Sequence, residues 1–245
     1  MSVFDVSDRD GVAVVTMHRS PANAMDPAFI EAGLAVLDVL VVARPDAVVL
    51  TGTDRFFSGG ADLRTVPALS PAEQGEMARR INALFSGWFA LPYPLVTAVN
   101  GHAVAGGLVL ALCGDARVGP TTGRFGLTEV AAGIPFPSAA MAIVRSELTM
   151  SVLRRLTLRA ELIDAPGGLA VGIFDEITAD DMVVTRAVEI AREMGALPPT
   201  AYGVVKQQLR AAALEVERGR FGGAEAVEWV TGESGSAGAR ILDAP

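Results

Sequence analysis

The sequence of 245 residues is poor in the side chains that build disulfides and metal sites, with one cysteine and two histidines. The single cysteine, Cys113, excludes an internal disulfide and is typical of a reducing compartment, so we expect a cytoplasmic location. Met1–Asp5 has neither the basic start nor the apolar run of a signal peptide. Around the central glycine pair, the stretch without polar side chains, Ala103–Cys113, has eleven residues. A membrane span needs about 20, so no membrane association is expected.

Positive charge is also scarce, because 20 lysines and arginines face 28 aspartates and glutamates, which gives a formal net charge of −8. The chain has no basic block and no interleaving of aromatic with basic residues, so nucleic acid is not an expected partner. An acidic chain must hold an anionic ligand through local donors such as backbone N–H groups and helix starts. Apolar residues make up 51% of the sequence, which is enough for a sizeable core.

Several motifs of catalysis are missing. The chain has no G-x-S-x-G elbow, no G-x-x-x-x-G-K-[ST] phosphate loop, no G-x-G-x-x-G turn and no cysteine–histidine metal spacing. We therefore expect no metal. Neither His18 nor His102 stands in a recognisable nucleophile arrangement, so both are expected to be structural.

Hydrophobic periodicity and turn residues predict alternating strands and helices. A hairpin over Val3–Met17 is expected to turn at Asp10-Gly11. Further strands are predicted at Ala47–Leu50, Pro94–Val99, Ala116–Val118, Phe125–Gly126 and Ile173–Ile177, and helices over Asp26–Val42, Ser70–Leu91, Gly106–Cys113 and most of the chain after Ile134. This alternation predicts an α/β fold with a sheet buried on both faces.

Two glycine pairs, Gly59-Gly60 and Gly106-Gly107, follow the predicted strands that end at Leu50 and Val99. Open α/β sheets place ligands at that end of a strand, and small residues let a ligand approach the backbone closely. The second pair also begins a predicted helix, whose first N–H groups lack intrahelical partners. Two such donors on one oxygen would form an oxyanion hole. Tight turns with close helix–sheet packing are the alternative for either pair alone.

Glu129 is the carboxylate that fits this arrangement, because it lies among the apolar and small residues of Phe125–Pro135. Burial would raise its pKa and make it a better base near neutral pH. A partly exposed charge in a loop is the alternative interpretation.

In their order and spacing, these motifs resemble the crotonase superfamily, the enoyl-CoA hydratases and isomerases. The likeness covers most of the chain and runs through Arg19–Asp26, Phe57–Leu63, Ala98–Gly107, Phe125–Glu129 and, more weakly, Gly172–Ile177. It implies a crotonase-type spiral of ββα turns over residues 1–190 with an acyl-CoA site, and a helical C-terminal region over 191–245. It also implies trimers or pairs of trimers. The ending around Glu228–Val230 departs from the family pattern.

The resemblance also implies residue roles. Glu129 is the catalytic residue, and the oxyanion donors are the backbone N–H groups of Ala61 and Gly106. The substrate is an acyl-coenzyme A thioester, so coenzyme A is part of the substrate and no separate cofactor is expected. The other residues of the predicted substrate and coenzyme A site are Ala22, Ala24, Gly59, Gly60, Asp62, Leu63, Gly107, Val109 and Phe136. Asp62 is expected to cap a turn.

Val109 distinguishes this chain from the family's hydratases, which use two glutamates. One hydratase glutamate stands where Glu129 lies, and the other stands three residues after the oxyanion glycine, at position 109 here. Three residues are nearly one helical turn, so Val109 is expected to share a face with Gly106. A valine cannot hold or protonate water.

One carboxylate beside an oxyanion hole favours proton relocation. Glu129 would take a proton from C2 of a 3-enoyl thioester and return it at C4, which resembles the Δ3,Δ2-enoyl-CoA isomerases. Phe136 would add apolar bulk near the acyl chain. The alternatives are a hydratase that uses Glu129 alone, a family member with different enolate chemistry, and a non-catalytic acyl-CoA-binding protein.

Overall fold

The structure, a computed structural model, describes residues 2–220, which contain nine strands and eight α-helices. The strands are β1 Phe4–Arg9, β2 Val12–Met17, β3 Ala47–Thr51, β4 Phe56–Ser58, β5 Leu95–Ala98, β6 His102–Val104, β7 Ala116–Gly119, β8 Phe125–Gly126 and β9 Glu176–Ile177. The helices are α1 Pro27–Ala43, α2 Pro71–Phe89, α3 Gly106–Ala111, α4 Ser138–Glu147, α5 Met150–Leu158, α6 Ala165–Ala170, α7 Val183–Gly195 and α8 Pro199–Arg220. The departing segment at Glu228–Val230 lies outside the described residues.

The strands form two sheets. The larger sheet has six strands in the order β1-β2-β3-β5-β7-β9, and the smaller has three in the order β4-β6-β8. Strands β1 and β2 are antiparallel, and every other pair is parallel. Two successive turns of the spiral are β3-β4-α2 and β5-β6-α3. In each turn the first strand joins the larger sheet, the second joins the smaller sheet, and a helix follows. The predicted spiral of ββα turns is confirmed.

Local sequence signals fix where the first elements begin and end. At the hairpin turn, Asp10 and Gly11 both have positive φ (57° and 86°), as a two-residue turn between twisted strands requires. The Asp26 side chain accepts a hydrogen bond from the Phe29 N–H at the start of α1. A reciprocal capping box between Ser70 and Glu73 begins α2. These predicted starts are confirmed.

The inner strands β2, β3 and β5 of the larger sheet are buried on both faces, as their near-continuous apolar sequences predict, whereas the edge strand β1 is mostly exposed. Alternate residues of β3 point to opposite sides, so Val48 and Leu50 pack in the main core, while Ala47 and Val49 pack in a second cluster. That second cluster includes the buried face of α7. Burial on both faces therefore requires the helices of the spiral on one side and α7 on the other.

A buried charge cluster fastens α8 to the rest of the fold. The Lys206 ammonium donates to Asp115 Oδ2 (2.6 Å) and to the Tyr93 carbonyl (2.8 Å), and Arg210 pairs with Asp115 Oδ1 at 2.8 Å.

The boundary expected between residues 190 and 191 falls inside α7, and the two-part division stays a prediction. Within residues 2–220, no helix is both long and apolar enough to cross a bilayer.

Two strands of the smaller sheet differ from the prediction. Phe56–Ser58 and His102–Val104 were expected only as segments that follow longer strands, yet they form β4 and β6. Three residues are too few to display an alternating pattern, so their pairing is decided by the fold. Helix α3 ends at Ala111, two residues before the predicted Cys113.

Candidate active site

Three loops meet at one edge of the smaller sheet. Strands β4, β6 and β8 are parallel neighbours, so their carboxyl ends lie side by side. Ala61 comes three residues after β4, Gly106 two after β6 and Glu129 three after β8. The glycine pairs were expected after the strands ending at Leu50 and Val99; the short strands β4 and β6 lie in between, so each pair follows the end of a strand of the smaller sheet. Ligands bind where parallel strands end.

The Ala61 N–H is directed away from its neighbouring segment. Met25 pairs with Ala61 as in a parallel ladder: the Met25 N–H donates to the Gly60 carbonyl (2.8 Å) and the Asp62 N–H donates to the Met25 carbonyl (3.1 Å). In a parallel pair the residue between those two bonds points its own N–H to the opposite side. Among the hydrogen bonds within residues 2–220, none uses the Ala61 N–H.

The two glycine segments approach each other closely. Gly60 has a φ of 81°, and a Cβ built on it would lie 2.9 Å from the Gly106 nitrogen and 2.9 Å from the Ala105 Cβ. Neither the backbone conformation nor the space admits a larger residue. Within the described residues the Gly106 N–H, like that of Ala61, donates to no protein acceptor. Two free donors therefore lie in adjoining segments, as an oxyanion hole requires.

Ala105 holds Gly106 in place through a strained backbone. Its φ of 52° and ψ of −129° belong to a region that favours glycine, and such residues persist where their surroundings over-determine them. The Ala105 N–H donates to the Gly126 carbonyl of β8 (2.8 Å), and its own carbonyl accepts from Leu108 (2.9 Å) and Val109 (3.2 Å). The strain therefore lies directly beside a predicted oxyanion donor.

The rest of α3 packs tightly behind this edge. A Cβ on Gly107 would lie 2.0 Å from the Ser58 carbonyl, so glycine is required for the helix to approach β4. Val109 is fully buried in the main core, one turn along from Gly106. Because position 109 is a valine, it supplies no carboxylate to the candidate site.

Glu129 is buried, with 7% of its surface exposed. Its Oε2 atom has no hydrogen-bond partner within residues 2–220, although few buried carboxylate oxygens lack one. Burial raises the pKa of the Glu129 carboxyl to about 8, and a hydrogen bond from its own N–H opposes part of that rise. A buried carboxyl with one free oxygen and a pKa near neutrality is suited to accept and return a proton.

The remaining predicted site residues lie around these three. The Ala22 carbonyl accepts from the Gly59 N–H (2.8 Å), and Ala24 is partly exposed in the same segment. Asp62 caps a turn, because its carboxylate accepts from the Arg64 N–H (3.0 Å) and from Thr65 Oγ1 (3.1 Å). Leu63 and Phe136 are partly buried against the main core.

Sequence reasoning missed the buried residue Asn23, which joins the predicted coenzyme A segment to β4. The Asn23 side-chain amide donates to the carbonyls of Phe56 and Phe57, both at 3.1 Å, and the Ser58 hydroxyl donates to the Asn23 carbonyl at 2.8 Å. Its φ of 48° is a conformation that asparagine tolerates better than most residues. An asparagine two residues after Pro21 was the available signal.

A cavity of about 630 Å³ lies elsewhere, between α8 and the region of Asp115 and Glu147. None of the predicted site residues lines it. Its cations, Lys206 and Arg210, are already paired with Asp115. We therefore place the candidate active site at the edge of the smaller sheet.

His102 has a structural role, since its Nδ1 accepts from the Arg124 N–H (3.1 Å) and its ring lies against Phe56.

Comparison with known proteins defines the class. Residues 7–224 match the sequence model of the enoyl-CoA hydratase/isomerase family. The chain belongs to this family, and the resemblance inferred from its motifs is confirmed.

Individual relatives agree with that assignment. The chain is 32% identical to a probable enoyl-CoA hydratase, EchA17, of Mycolicibacterium paratuberculosis, over 97% of this chain and 94% of the relative. It is 31% identical to 2,3-dehydroadipyl-CoA hydratase of Escherichia coli, over 86% and 82%. Among solved structures, a Mycobacterium tuberculosis protein described as an enoyl-CoA isomerase superposes with a TM-score of 0.83 and 34% identity, covering 89% of this chain and 95% of the other. A second structure of that protein describes it as probable enoyl-CoA hydratase EchA3.

Proposed function

We propose that this protein is an enoyl-CoA isomerase that moves the double bond of a 3-enoyl thioester to position 2. The observation that carries the proposal is that the candidate site offers one buried carboxylate with a free oxygen, Glu129, while the position of a hydratase's second glutamate is occupied by the fully buried Val109. One base can serve both ends of a proton relocation, whereas adding water calls for a second polar group to orient it.

The proposed reaction needs one proton carrier and no external proton. The thioester oxygen accepts hydrogen bonds from the Ala61 and Gly106 N–H groups, which increases the acidity of the C2 protons. Glu129 takes a C2 proton, and the electron pair spreads over the thioester oxygen and C4 as a dienolate. The protonated Glu129 then delivers that proton to C4, and the double bond forms between C2 and C3.

A pKa near 8 fits a group that must both take and give a proton. A carboxyl of ordinary pKa would be a weak base and would hold the proton too briefly to return it. The burial of Glu129, which raises its pKa, therefore supports both halves of the reaction.

Hydration of a 2-enoyl thioester is the second candidate, and the names of the relatives favour it. Both EchA17 and the Escherichia coli relative are named hydratases. Glu129 would then activate water alone, on a side of the site where Val109 offers no hydrogen bond. The two names given to the Mycobacterium tuberculosis neighbour leave the choice between these reactions to experiment.

A purely binding role agrees less well with the burial of Glu129. A carboxyl removed from water with one oxygen lacking a hydrogen-bond partner lowers stability, and such a cost is typical of a functional group. As further parts of the proposal, the enzyme acts in the cytoplasm as a homotrimer or a pair of trimers.

Steady-state rates on 3-enoyl-CoA and 2-enoyl-CoA, with a saturated acyl-CoA as the third substrate, test the proposal. Product analysis should show 2-enoyl-CoA from the first, little 3-hydroxyacyl-CoA from the second, and no product other than C2 hydrogen exchange from the third. Faster water addition to the 2-enoyl substrate than double-bond migration in the 3-enoyl substrate would establish hydration instead. Binding of all three without turnover or exchange would establish a non-catalytic protein.

A further inference from the structure

Helix α4 begins without a cap of its own. Its first residue is Ser138, and the preceding residue, Pro137, offers no side-chain acceptor to the free N–H groups of the first turn. One of those groups, the Ala139 N–H, donates instead to Oδ1 of Asn82 on helix α2, at 2.9 Å. The two residues are 57 positions apart in the chain. Helix α2 therefore supplies the cap from another part of the fold.

The segment that this cap holds begins at the proposed base. The Glu129 carbonyl accepts from the Ala132 N–H (3.0 Å) and the Ile134 N–H (2.9 Å), which folds the chain into a short turn that closes at Gly133 with a φ of 70°. The chain then runs directly into α4. Residues 129–139 are thus fixed at the first end by their own turn and at the second end by Asn82.

The same helix also contacts the other half of the site. Phe85 is fully buried, and its Cζ lies 3.3 Å from a Cβ built on Gly106. Residues three apart share a face of a helix, so Asn82 and Phe85 present one face of α2 to the base segment and to the oxyanion segment.

We infer that Asn82 is a positioning residue, which sets the Glu129 segment relative to the oxyanion segment by capping α4 from α2. Its effect on turnover rests on the proposed function, whereas its effect on the order of residues 130–139 does not. Asn82 acts through Glu129 and is not itself expected to touch the substrate.

The test compares Asn82→Ala with wild type and with Gln207→Ala, a control that removes an exposed amide from α8. A displacement of about 1 Å at a reacting group can cost up to ~100-fold in rate. We expect kcat of Asn82→Ala to fall by roughly tenfold or more, with KM changed less than about twofold, because the oxyanion donors and the coenzyme A segment are untouched. Gln207→Ala should match wild type in both constants.

Two further measurements keep the inference falsifiable. Hydrogen exchange by mass spectrometry should show faster exchange within residues 130–139 in Asn82→Ala, with the large sheet unchanged. Asn82→Asp keeps an acceptor oxygen at the helix start, so its kcat should lie closer to wild type than that of Asn82→Ala.

Distinct outcomes separate this inference from the proposed function. Wild-type kcat and unchanged exchange in a folded Asn82→Ala variant would overturn the positioning role, as would an equal loss in the Asp and Ala variants. Absence of turnover in wild type would instead refute the proposed function. In that case the exchange data alone would decide whether Asn82 orders the segment.

Discussion

The pKa of Glu129 predicts a distinctive pH dependence for the wild-type enzyme. A base acts only when it is ionised, and burial raises the pKa of this carboxyl to about 8, well above its ordinary value of 4.5. The kcat/KM for the 3-enoyl substrate should therefore rise with pH through the neutral range. A solvated carboxylate would already be fully ionised at pH 6 and would give no such rise.

The size of the effect follows from the ionised fraction. With a pKa near 8, about 1% of Glu129 is ionised at pH 6, about 10% at pH 7 and about half at pH 8. The kcat/KM should thus increase roughly tenfold from pH 6 to 7 and about fivefold from pH 7 to 8, then level off above pH 9. Lys206 also titrates in this range, because burial lowers its pKa to about 8, but it lies on α8 beside the separate cavity and not among the candidate site residues. Burial and two arginines lower the pKa of His102, so its ionisation would change the rate at a lower pH than an ordinary histidine would.

The assay is the initial rate at low 3-enoyl-CoA concentration from pH 5.5 to 9.5, at constant ionic strength. Enzyme-free controls correct for spontaneous migration, and return of each sample to pH 7.5 checks that the enzyme survives. A plateau already reached by pH 6 would refute the reasoning, because Glu129 would then be ionised in a polar environment.

The remaining predictions concern the donors, the second position and stability. Ala61→Pro removes one N–H and should lower kcat by about 10²–10³, while Ala61→Gly should be mild; equal activity of wild type and a folded Pro variant would remove Ala61 from the mechanism. Val109→Glu should raise hydration of 2-enoyl-CoA and weaken isomerisation, at several kcal/mol of stability if the new carboxyl is unpaired. Between pH 4.5 and about 8 the folded protein binds more protons at Glu129 than the unfolded chain does. As the pH rises through this range, the free energy of unfolding of wild type should therefore fall by up to roughly 1.4 kcal/mol per pH unit, a loss that Glu129→Gln should not show in urea unfolding.

Strong local signals made much of the fold predictable. Asp26, Ser70 and the Asp10-Gly11 turn act within a few residues of themselves, so their helices and hairpin begin where the sequence indicates. Strands β4 and β6 of the smaller sheet were not predicted, because each is three residues long and its pairing is decided by the fold, whereas β8 was predicted.

The residues of the candidate site likewise include some that the sequence predicts and some that it does not. Gly60, Gly106 and Glu129 could be identified because glycine pairs and an acid in an apolar run are visible in the sequence. Asn23 and Asn82 could not, since each acts on carbonyl or N–H groups more than 30 residues away. The strain at Ala105 was likewise hidden, because alanine carries no sequence signal for a positive φ.

The central claim is that Glu129 carries the proton of the reaction, and Glu129→Gln tests it most directly. The variant keeps the shape of the side chain and removes the base. A positioned base contributes about 10²–10⁴ in rate, and a sole carrier should lie at or above the upper end of that range. We expect turnover of 3-enoyl-CoA to fall by that amount, with acyl-CoA affinity by calorimetry nearly unchanged. A folded Glu129→Gln variant that retained more than about a tenth of wild-type kcat would contradict the account, because such a loss is far below that of a general base.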